Sequence, residues 1–166
     1  MAIIAPLTFA DFALKFPPVD MPVTLGAEDH HVFSMTNDPL SIEMVEQFIV
    51  PLTPLTDDEY TEYVPCLAIK DTENFVALIW WRAGLLQYSY FLATFTPKGE
   101  PIQSKIIAGT QVIDHKILRT VANIDQDLIV WIAEGAADAA ADVVGYDATS
   151  TRMYSVEIMP NGMLVF

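Results

Sequence analysis

The stretch FVALIWWRAGLLQYSYFLATF, Phe75–Phe95, is the most apolar part of the sequence and decides the fold. It carries a single charge, that of Arg82. Its aromatic and β-branched residues favour strands, and it shows little helical periodicity. The stretch therefore predicts two strands, at Phe75–Trp81 and Leu86–Thr96, joined by a turn at Arg82–Leu85.

A membrane span is the alternative interpretation of this stretch, because a span needs roughly 20 apolar residues. We reject it since Arg82, Gln87 and Ser89 fall near the middle, where a bilayer tolerates polar groups least. A strand that is apolar at consecutive positions has both faces covered. Phe75–Trp81 is therefore predicted to be a central strand, with a core on one face and a helix or second sheet layer on the other.

The length and cysteine content indicate one ordinary domain. A chain of 166 residues buries about 70 % of its unfolded surface, so its stability requires neither disulfides nor a metal. The single cysteine, Cys66, lies in the apolar run VPCLAI and is interpreted as a buried hydrophobic residue rather than a nucleophile. The first residues have no basic region typical of a signal peptide, so we expect a cytoplasmic protein. A sequence from which an export signal had been removed would look the same.

The net charge of −14 is unevenly distributed along the chain. Residues 1–64 hold eleven acidic residues and one basic residue, a charge of −10, and residues 65–166 hold eleven and seven, a charge of −4. A negative field repels phosphate backbones, so we expect no nucleic-acid binding. The charge suits a basic protein partner or a cation, and solubility alone is the alternative explanation.

Residues 1–64 predict a helical, proline-punctuated arm. Thr8 and Asp11 form a capping-box pattern at the start of an aromatic helix, which Pro17 ends. Val32–Met35 indicates a short strand.

A second helix of the arm is predicted to cover one face of the central strands. Asp38 can cap it, and Pro39 suits its first position. Leu40, Met44 and Phe48 then lie on one apolar stripe.

Beyond the arm, short apolar segments alternate with turn residues. They predict strands at Pro65–Lys70, Ile102–Ala108, Lys116–Ile124, Leu128–Ala133, Arg152–Met159 and Met163–Phe166. The alanine-rich segment Gly135–Ser150 predicts either one or two helical turns or a loop.

The chain is therefore predicted to be a single α+β domain, with the acidic arm packed on an antiparallel β-meander of seven to eight strands. The sheet is open or barrel-like, and a partial propeller is the third alternative.

The order of these features resembles that of small uncharacterised bacterial proteins with a β-meander. The matching residues are Phe12, Phe16–Pro17, Met21–Pro22, the aromatic strand Tyr88–Phe95, the turn from Lys98–Gly99 to Ile102, and the hairpin Asn161–Gly162. The resemblance implies the fold and transfers no activity. Many of those proteins carry an export signal, which this sequence lacks.

Groups suited to catalysis or metal binding are few. His30 and His31 would point to opposite faces of a strand and match no zinc motif, so they are interpreted as an exposed loop. Asp114–His115 is interpreted as a structural turn. The sequence contains no nucleophile elbow, phosphate loop or dinucleotide fingerprint, and no metal or cofactor is expected.

The aromatic residues of the central strands form the candidate binding surface. Trp80, Trp81, Tyr88 and Tyr90 together with Arg82 have the composition of a binding hot spot, and the alternative is that they build the core. Because alternate residues of a strand face opposite sides, the two tryptophans are predicted to lie on opposite faces.

The leading hypothesis for function is a non-enzymatic, soluble protein-interaction module. Its specific form is an acidic, immunity-like inhibitor that caps the basic active site of a toxin. The alternative is a small-molecule or glycan-binding domain, or a hydrolase, with an aromatic pocket. A third hypothesis is an assembly subunit that buries an apolar sheet face in an oligomer.

Overall fold

A computed structural model of the chain describes residues 6–26, 28–53, 55–138 and 151–166. Within these residues ten strands form one open sheet, accompanied by short helices. The strands are β1 Pro18–Val19, β2 Val23–Leu25, β3 Glu62–Ile69, β4 Val76–Gly84, β5 Gln87–Phe95, β6 Pro101–Ile113, β7 Lys116–Ile124, β8 Ile129–Asp138, β9 Arg152–Ile158 and β10 Leu164–Val165. The helices are α1 Phe9–Ala13, α2 His30–Thr36 and α3 Ile42–Met44, the last continued by a π-helical turn at Val45–Ile49 and a 3-10 turn at Val50–Leu52.

The sheet is mostly an antiparallel meander, as the sequence predicts. Strands β3 to β10 are neighbours in chain order, and each successive pair is antiparallel. The arm adds two further strands, because β1 pairs in parallel with β3 and β2 pairs antiparallel with β7. The arm is therefore not wholly helical, since the chain after Pro17 hydrogen-bonds to sheet edges that the sequence does not reveal.

Strands β4 and β5 form the centre of the sheet and pair without interruption along their whole length. Alternation sends Trp80 to one face and Trp81 to the other, as predicted. The turn between the strands lies at Leu85–Leu86, so the prediction of a turn at Arg82–Leu85 is wrong. Arg82 belongs to β4, where it pairs with Ser89 of β5, and its side chain is buried.

A hydrophobic core covers each face of this central pair, so neither face is exposed. The first core includes Leu25, Leu67, Ile79, Trp81, Tyr90, Leu92, Ile107, Ile124, Ile132 and Val156. The second core consists of Phe12, Phe16, Met44, Ile49, Leu78, Trp80, Phe91, Ala93 and Phe95. Burial of each large side chain contributes about 1.5–3 kcal/mol, so both covers are needed for stability.

Helix α1 brings its aromatic residues onto the second core. The predicted capping box is present, because the Asp11 backbone N–H donates to the Thr8 hydroxyl at 3.2 Å and the Thr8 N–H donates to the Asp11 carboxylate at 3.0 Å. Phe12 stacks on Phe48 with ring centroids 4.8 Å apart. The two predicted arm helices therefore meet over the sheet.

Helix α3 covers the second core as predicted, but it begins later in the chain. The Ser41 hydroxyl accepts a hydrogen bond from the Met44 N–H at 3.2 Å, which caps the helix at Ser41. Asp38 and Pro39, the predicted cap and first position, therefore lie outside the helix. Met44 and Ile49, at its end and in the π-helical turn, are both buried.

Residues Val32–Met35 lie in helix α2, so the prediction of a strand there is wrong. Helix α2 is fixed to the sheet at its end, where the Asn37 side-chain amide donates to the carbonyls of Pro65 and Cys66 at 2.7 and 2.9 Å. Those carbonyls lie at the bulge of β3, where the ladder leaves acceptors available. Phe33 packs against the first core.

Strand β6 belongs to two parts of the sheet, and Gly109 lies where they meet. Its φ of 143° is available only to glycine at low cost, and an added Cβ would overlap the Tyr88 carbonyl oxygen. Strand β6 pairs with β5 from Pro101 to Gln111 and with β7 from Gly109 to Ile113, so Gly109 is the first residue that pairs with both neighbours. Strand β2 pairs with β7 at Ala122–Ile124, outside the part that β6 occupies.

Part of the alanine-rich segment can be assigned. Strand β8 extends to Asp138, where it pairs with β7, so the prediction of helical turns or a loop for Gly135–Ser150 is wrong for its first four residues. The rest of that segment, residues 139–150, lies outside the described residues. Among the helices of the described ranges, none has the length and apolar character needed to cross a bilayer.

Substitution of Trp80 tests the packing of the second core. Trp80 is fully buried, and its Nε1 has no hydrogen-bond partner among the described residues. We expect Trp80→Phe to lower the free energy of unfolding by less than about 1.5 kcal/mol, because it removes an unsatisfied donor, and Trp80→Ala to lower it by about 3–5 kcal/mol. Urea unfolding measures both, and equal losses would contradict this account.

The β7–β8 turn provides a test by pH. Hydrogen bonds from Trp131 Nε1, at 2.8 Å, and from the Ile129 and Asp127 N–H groups lower the pKa of Asp125 below its ordinary value. A lowered pKa means that the ionised carboxylate of Asp125 stabilises the folded state. This stabilisation is fully present above the pKa of the unfolded chain and is lost as the pH falls through the pKa of the folded state. We expect Asp125→Asn to flatten the fall in the urea midpoint between about pH 5 and pH 2. An unchanged acid dependence would show that the ionised carboxylate contributes nothing to stability.

Candidate functional site

Two clefts lie on opposite faces of the β4–β5 pair, and the candidate binding residues are divided between these faces. Trp80 and Arg82 face the arm, and Trp80 is entirely within the second core. Trp81, Tyr88 and Tyr90 line a cleft on the other face. The five residues predicted as one binding surface are therefore not brought together.

Arg82 anchors the segment that precedes β3. Its Nη2 lies 2.8 Å from Asp57 Oδ1, and the same nitrogen donates to the Thr56 carbonyl at 3.1 Å. The Tyr63 hydroxyl donates to the same carboxylate at 2.7 Å. The Arg82 side chain is only 4 % exposed, so this group of contacts is a structural anchor rather than an open binding site.

The pKa values of the two partners agree with this geometry. Burial by itself lowers the pKa of Arg82, but the hydrogen bonds with Asp57 and Tyr63 raise it above its ordinary value. Burial, together with the hydrogen bond to Asp57, raises the pKa of Tyr63. Arg82 is therefore charged and Tyr63 neutral at every physiological pH.

The larger cleft, which we call the arm groove, has a volume of about 720 Å³ and lies against the anchored segment. Its apolar lining is Leu40, Ile42, Val45, Val50 and Leu55, and its acidic lining is Glu46, Asp57, Asp58 and Glu59. Ile42 is 73 % exposed and Val50 is 43 % exposed. The arm groove therefore presents apolar surface to solvent beside a concentration of carboxylates.

The second cleft, which we call the aromatic cleft, has a volume of about 400 Å³. His30 stacks on Trp81 with centroids 4.0 Å apart and planes 4° from parallel. Trp81 in turn stacks on Tyr88 at 5.9 Å and 6°. Trp81 is buried, whereas Tyr88 is 46 % exposed, so the three nearly parallel rings include one that is open to solvent.

Tyr90 holds the chain at Gly26, four residues before His30. Its hydroxyl donates to the Gly26 carbonyl at 2.9 Å, just before helix α2. Burial is the main cause that raises the pKa of Tyr90, so the hydroxyl remains a neutral donor. The position of His30 over Trp81 is therefore set by a buried side chain.

Polar groups meet at the open end of the aromatic cleft. Tyr88, Thr110 and Arg119 lie directly opposite one another across β5, β6 and β7. Arg119 is exposed and forms no ion pair or hydrogen bond with the side chains that the structure describes. Glu28 also lines the cleft, and its carboxylate lies 3.2 Å from His31 Nε2.

The sequence predicts that the two histidines lie in an exposed loop, with side chains on opposite faces. The structure shows a different arrangement. Both lie at the start of helix α2, and their rings are 3.9 Å apart. His30 packs over Trp81 because Phe33, three residues later on the same helical face, packs against the first core and holds that face toward the sheet. The three-residue spacing between the two rings of His30 and Phe33, which places them on one helical face, was the available signal for this helix.

Cys66 behaves as predicted. It is 1 % exposed in the first core, and burial raises the pKa of its thiol, which therefore stays protonated and unreactive. In the part of the chain that the structure describes, no three His, Cys, Asp or Glu side chains are arranged to hold a metal ion.

No protein-family model, curated protein or solved structure matches the chain. The resemblance to small bacterial β-meander proteins therefore stays a prediction.

Substitution of Asp57 tests the anchor. We expect Asp57→Ala to lower the free energy of unfolding by about 2–4 kcal/mol, because it leaves the buried guanidinium of Arg82 without a counter-charge. Glu59→Ala, which removes an exposed carboxylate of the same segment, should change it by less than about 0.5 kcal/mol. Urea unfolding at neutral pH provides both values, and two equally small losses would contradict the anchor.

Proposed function

We propose that the chain is a non-enzymatic protein-interaction module whose arm groove binds a basic partner. The observation that carries this proposal is the combination of exposed apolar side chains and uncompensated carboxylates in one groove. Glu46, Asp58 and Glu59 form no ion pair with any described residue, whereas Asp57 is neutralised by Arg82. Three negative charges are therefore available to a partner.

The apolar part of the arm groove specifies the form of the partner. Ile42 and Val50 are exposed beside the half-buried Leu40, Val45 and Leu55. Exposed apolar surface rimmed by polar groups is typical of interaction sites. A segment that carries lysine or arginine beside an apolar stripe would bury this surface and pair with the carboxylates, as amphipathic helices do in grooves.

The charge of the whole arm supports the same partner. Residues 1–64 carry a charge of −10, which attracts a basic surface over distances beyond direct contact and accelerates association. The specific form that we propose is an acidic, immunity-like inhibitor that caps the basic active site of a toxin. In that form the carboxylates would occupy the positions that the anionic substrate of the toxin takes.

Charge reversal in the arm groove tests the proposal. Partners are first captured from a lysate of the source cell at low salt, and the dissociation constant of each captured protein is then measured by calorimetry. We expect the triple variant Glu46→Lys, Asp58→Lys and Glu59→Lys to weaken a genuine partner at least about 100-fold, since each charge pair contributes about 1 kcal/mol. Added salt should weaken the wild-type complex.

A second triple variant distinguishes the effect of charges in the arm groove from the effect of the net charge of the protein. Glu73→Lys, Asp127→Lys and Glu157→Lys change the net charge by the same amount at exposed positions outside the groove. This control should weaken binding less than about 5-fold, through the long-range field alone. Equal losses in the two variants, or binding that does not respond to salt, would overturn the proposal.

A further inference from the structure

We infer that the aromatic cleft is a second binding site, independent of the arm groove, for a small planar aromatic acid. The cleft lies on the face of the β4–β5 pair that carries the first core, and His30 of helix α2 forms part of its wall. Its volume of about 400 Å³ falls within the range of small-ligand sites. Its lining combines stacked rings with an unpaired cation, and these two features determine the class of ligand.

The rings favour a flat ligand. His30, Trp81 and Tyr88 lie within a few degrees of parallel, and Tyr88 is the ring that remains exposed. A planar ring laid against Tyr88 would extend this arrangement, with offset stacking at the usual centroid distances of about 4.5–7 Å. A saturated ring would contact the same face over a smaller area.

The charge favours an acid. Arg119 lies directly opposite Thr110, and Thr110 lies directly opposite Tyr88, so guanidinium, hydroxyl and ring form one row. A guanidinium binds a carboxylate through two parallel hydrogen bonds, and the Thr110 hydroxyl can donate a third. Because Arg119 makes no ion pair with the described residues, it is available for this contact.

The same residues bear on two other ligand classes. A cation would meet repulsion from Arg119, whose charge no described residue neutralises. A sugar requires several hydrogen-bonding side chains, whereas the Tyr90 hydroxyl is occupied by the Gly26 carbonyl. Glu28, Tyr88, Thr110 and Arg119 keep polar groups in the lining, so a sugar acid is the competing ligand that the titration has to include.

The cleft is formed before any ligand arrives. Tyr90 fixes the loop before helix α2, and Asn37 fixes the other end of that helix to the bulge of β3. Gly109 allows β6 to approach Tyr88 so closely that Thr110 comes beside it. A preformed site loses little conformational entropy on binding, which allows a small ligand to bind with useful affinity.

The experiment is an NMR titration of the full-length ¹⁵N-labelled protein with 2-naphthoate. We expect saturable shifts centred on the amides of Tyr88, Gly109 and Thr110. The uncharged 2-naphthamide should bind at least about 10-fold more weakly, because it lacks the charge that Arg119 recognises. The saturated decalin-2-carboxylate and the sugar acid glucuronate should also bind at least about 5-fold more weakly than 2-naphthoate.

Matched variants assign the contacts. Arg119→Gln should weaken 2-naphthoate about 10-fold or more, whereas Lys116→Gln, which removes a charge from the same strand outside the cleft, should weaken it less than about 2-fold. Tyr88→Phe keeps the ring and should bind like the wild type, whereas Tyr88→Ser should bind about 10-fold more weakly. The unperturbed remainder of each spectrum reports that the variant is folded.

Several results would overturn the inference. They are equal affinity for 2-naphthoate and 2-naphthamide, no effect of Arg119→Gln, shifts centred on the arm groove, and no saturation up to about 10 mM ligand. Preferential binding of glucuronate would likewise reject the planar class. Because the variants of the arm groove do not touch this cleft, a failure here leaves the proposed interaction with a basic partner intact.

Discussion

The structure depends on a pair of strands that has no polar face. Strands β4 and β5 carry apolar side chains at successive positions, so water must be excluded from both sides at once. One side is closed by the remaining strands of the meander together with β2 and helix α2 of the arm, and the other by helices α1 and α3 of the arm. Arm and meander are therefore parts of one folding unit, because removal of either would expose a face that contains Trp80 or Trp81.

The anchor at Arg82 complements this apolar constraint. A charged residue on the second face of β4 would be costly if buried alone, and the arm supplies Asp57 and Tyr63 to satisfy it. The pair consequently fixes which part of the arm lies beside the sheet. The remaining carboxylates of that segment stay in solvent, so a structural ion pair and a surface suited to a partner arise from the same short run of acids.

Much of the fold follows from local patterns in the sequence. The two-sided burial of the central strands, the opposite placement of the tryptophans and the capping box at Thr8 were all predictable, because each depends on neighbouring residues. The row formed by Tyr88, Thr110 and Arg119 was also predictable from the sequence. A two-residue turn at Asp114–His115, with both φ values positive, fixes the register that places Arg119 opposite Thr110. The pairing of Arg82 with Asp57 and the strands of the arm depend on distant contacts, which local patterns do not encode.

The pairing of β2 with β7 has a consequence for biosynthesis. The side chain of Asn123 donates to the hydroxyl of Thr24 at 2.8 Å, across 99 residues of sequence. A ribosome therefore releases β2 long before its partner strand has been made, and contacts of such large sequence separation form slowly. During this interval β2 of the aromatic arm has no partner strand. The net charge of −10 on the arm makes nascent chains repel one another, which opposes association between their arms.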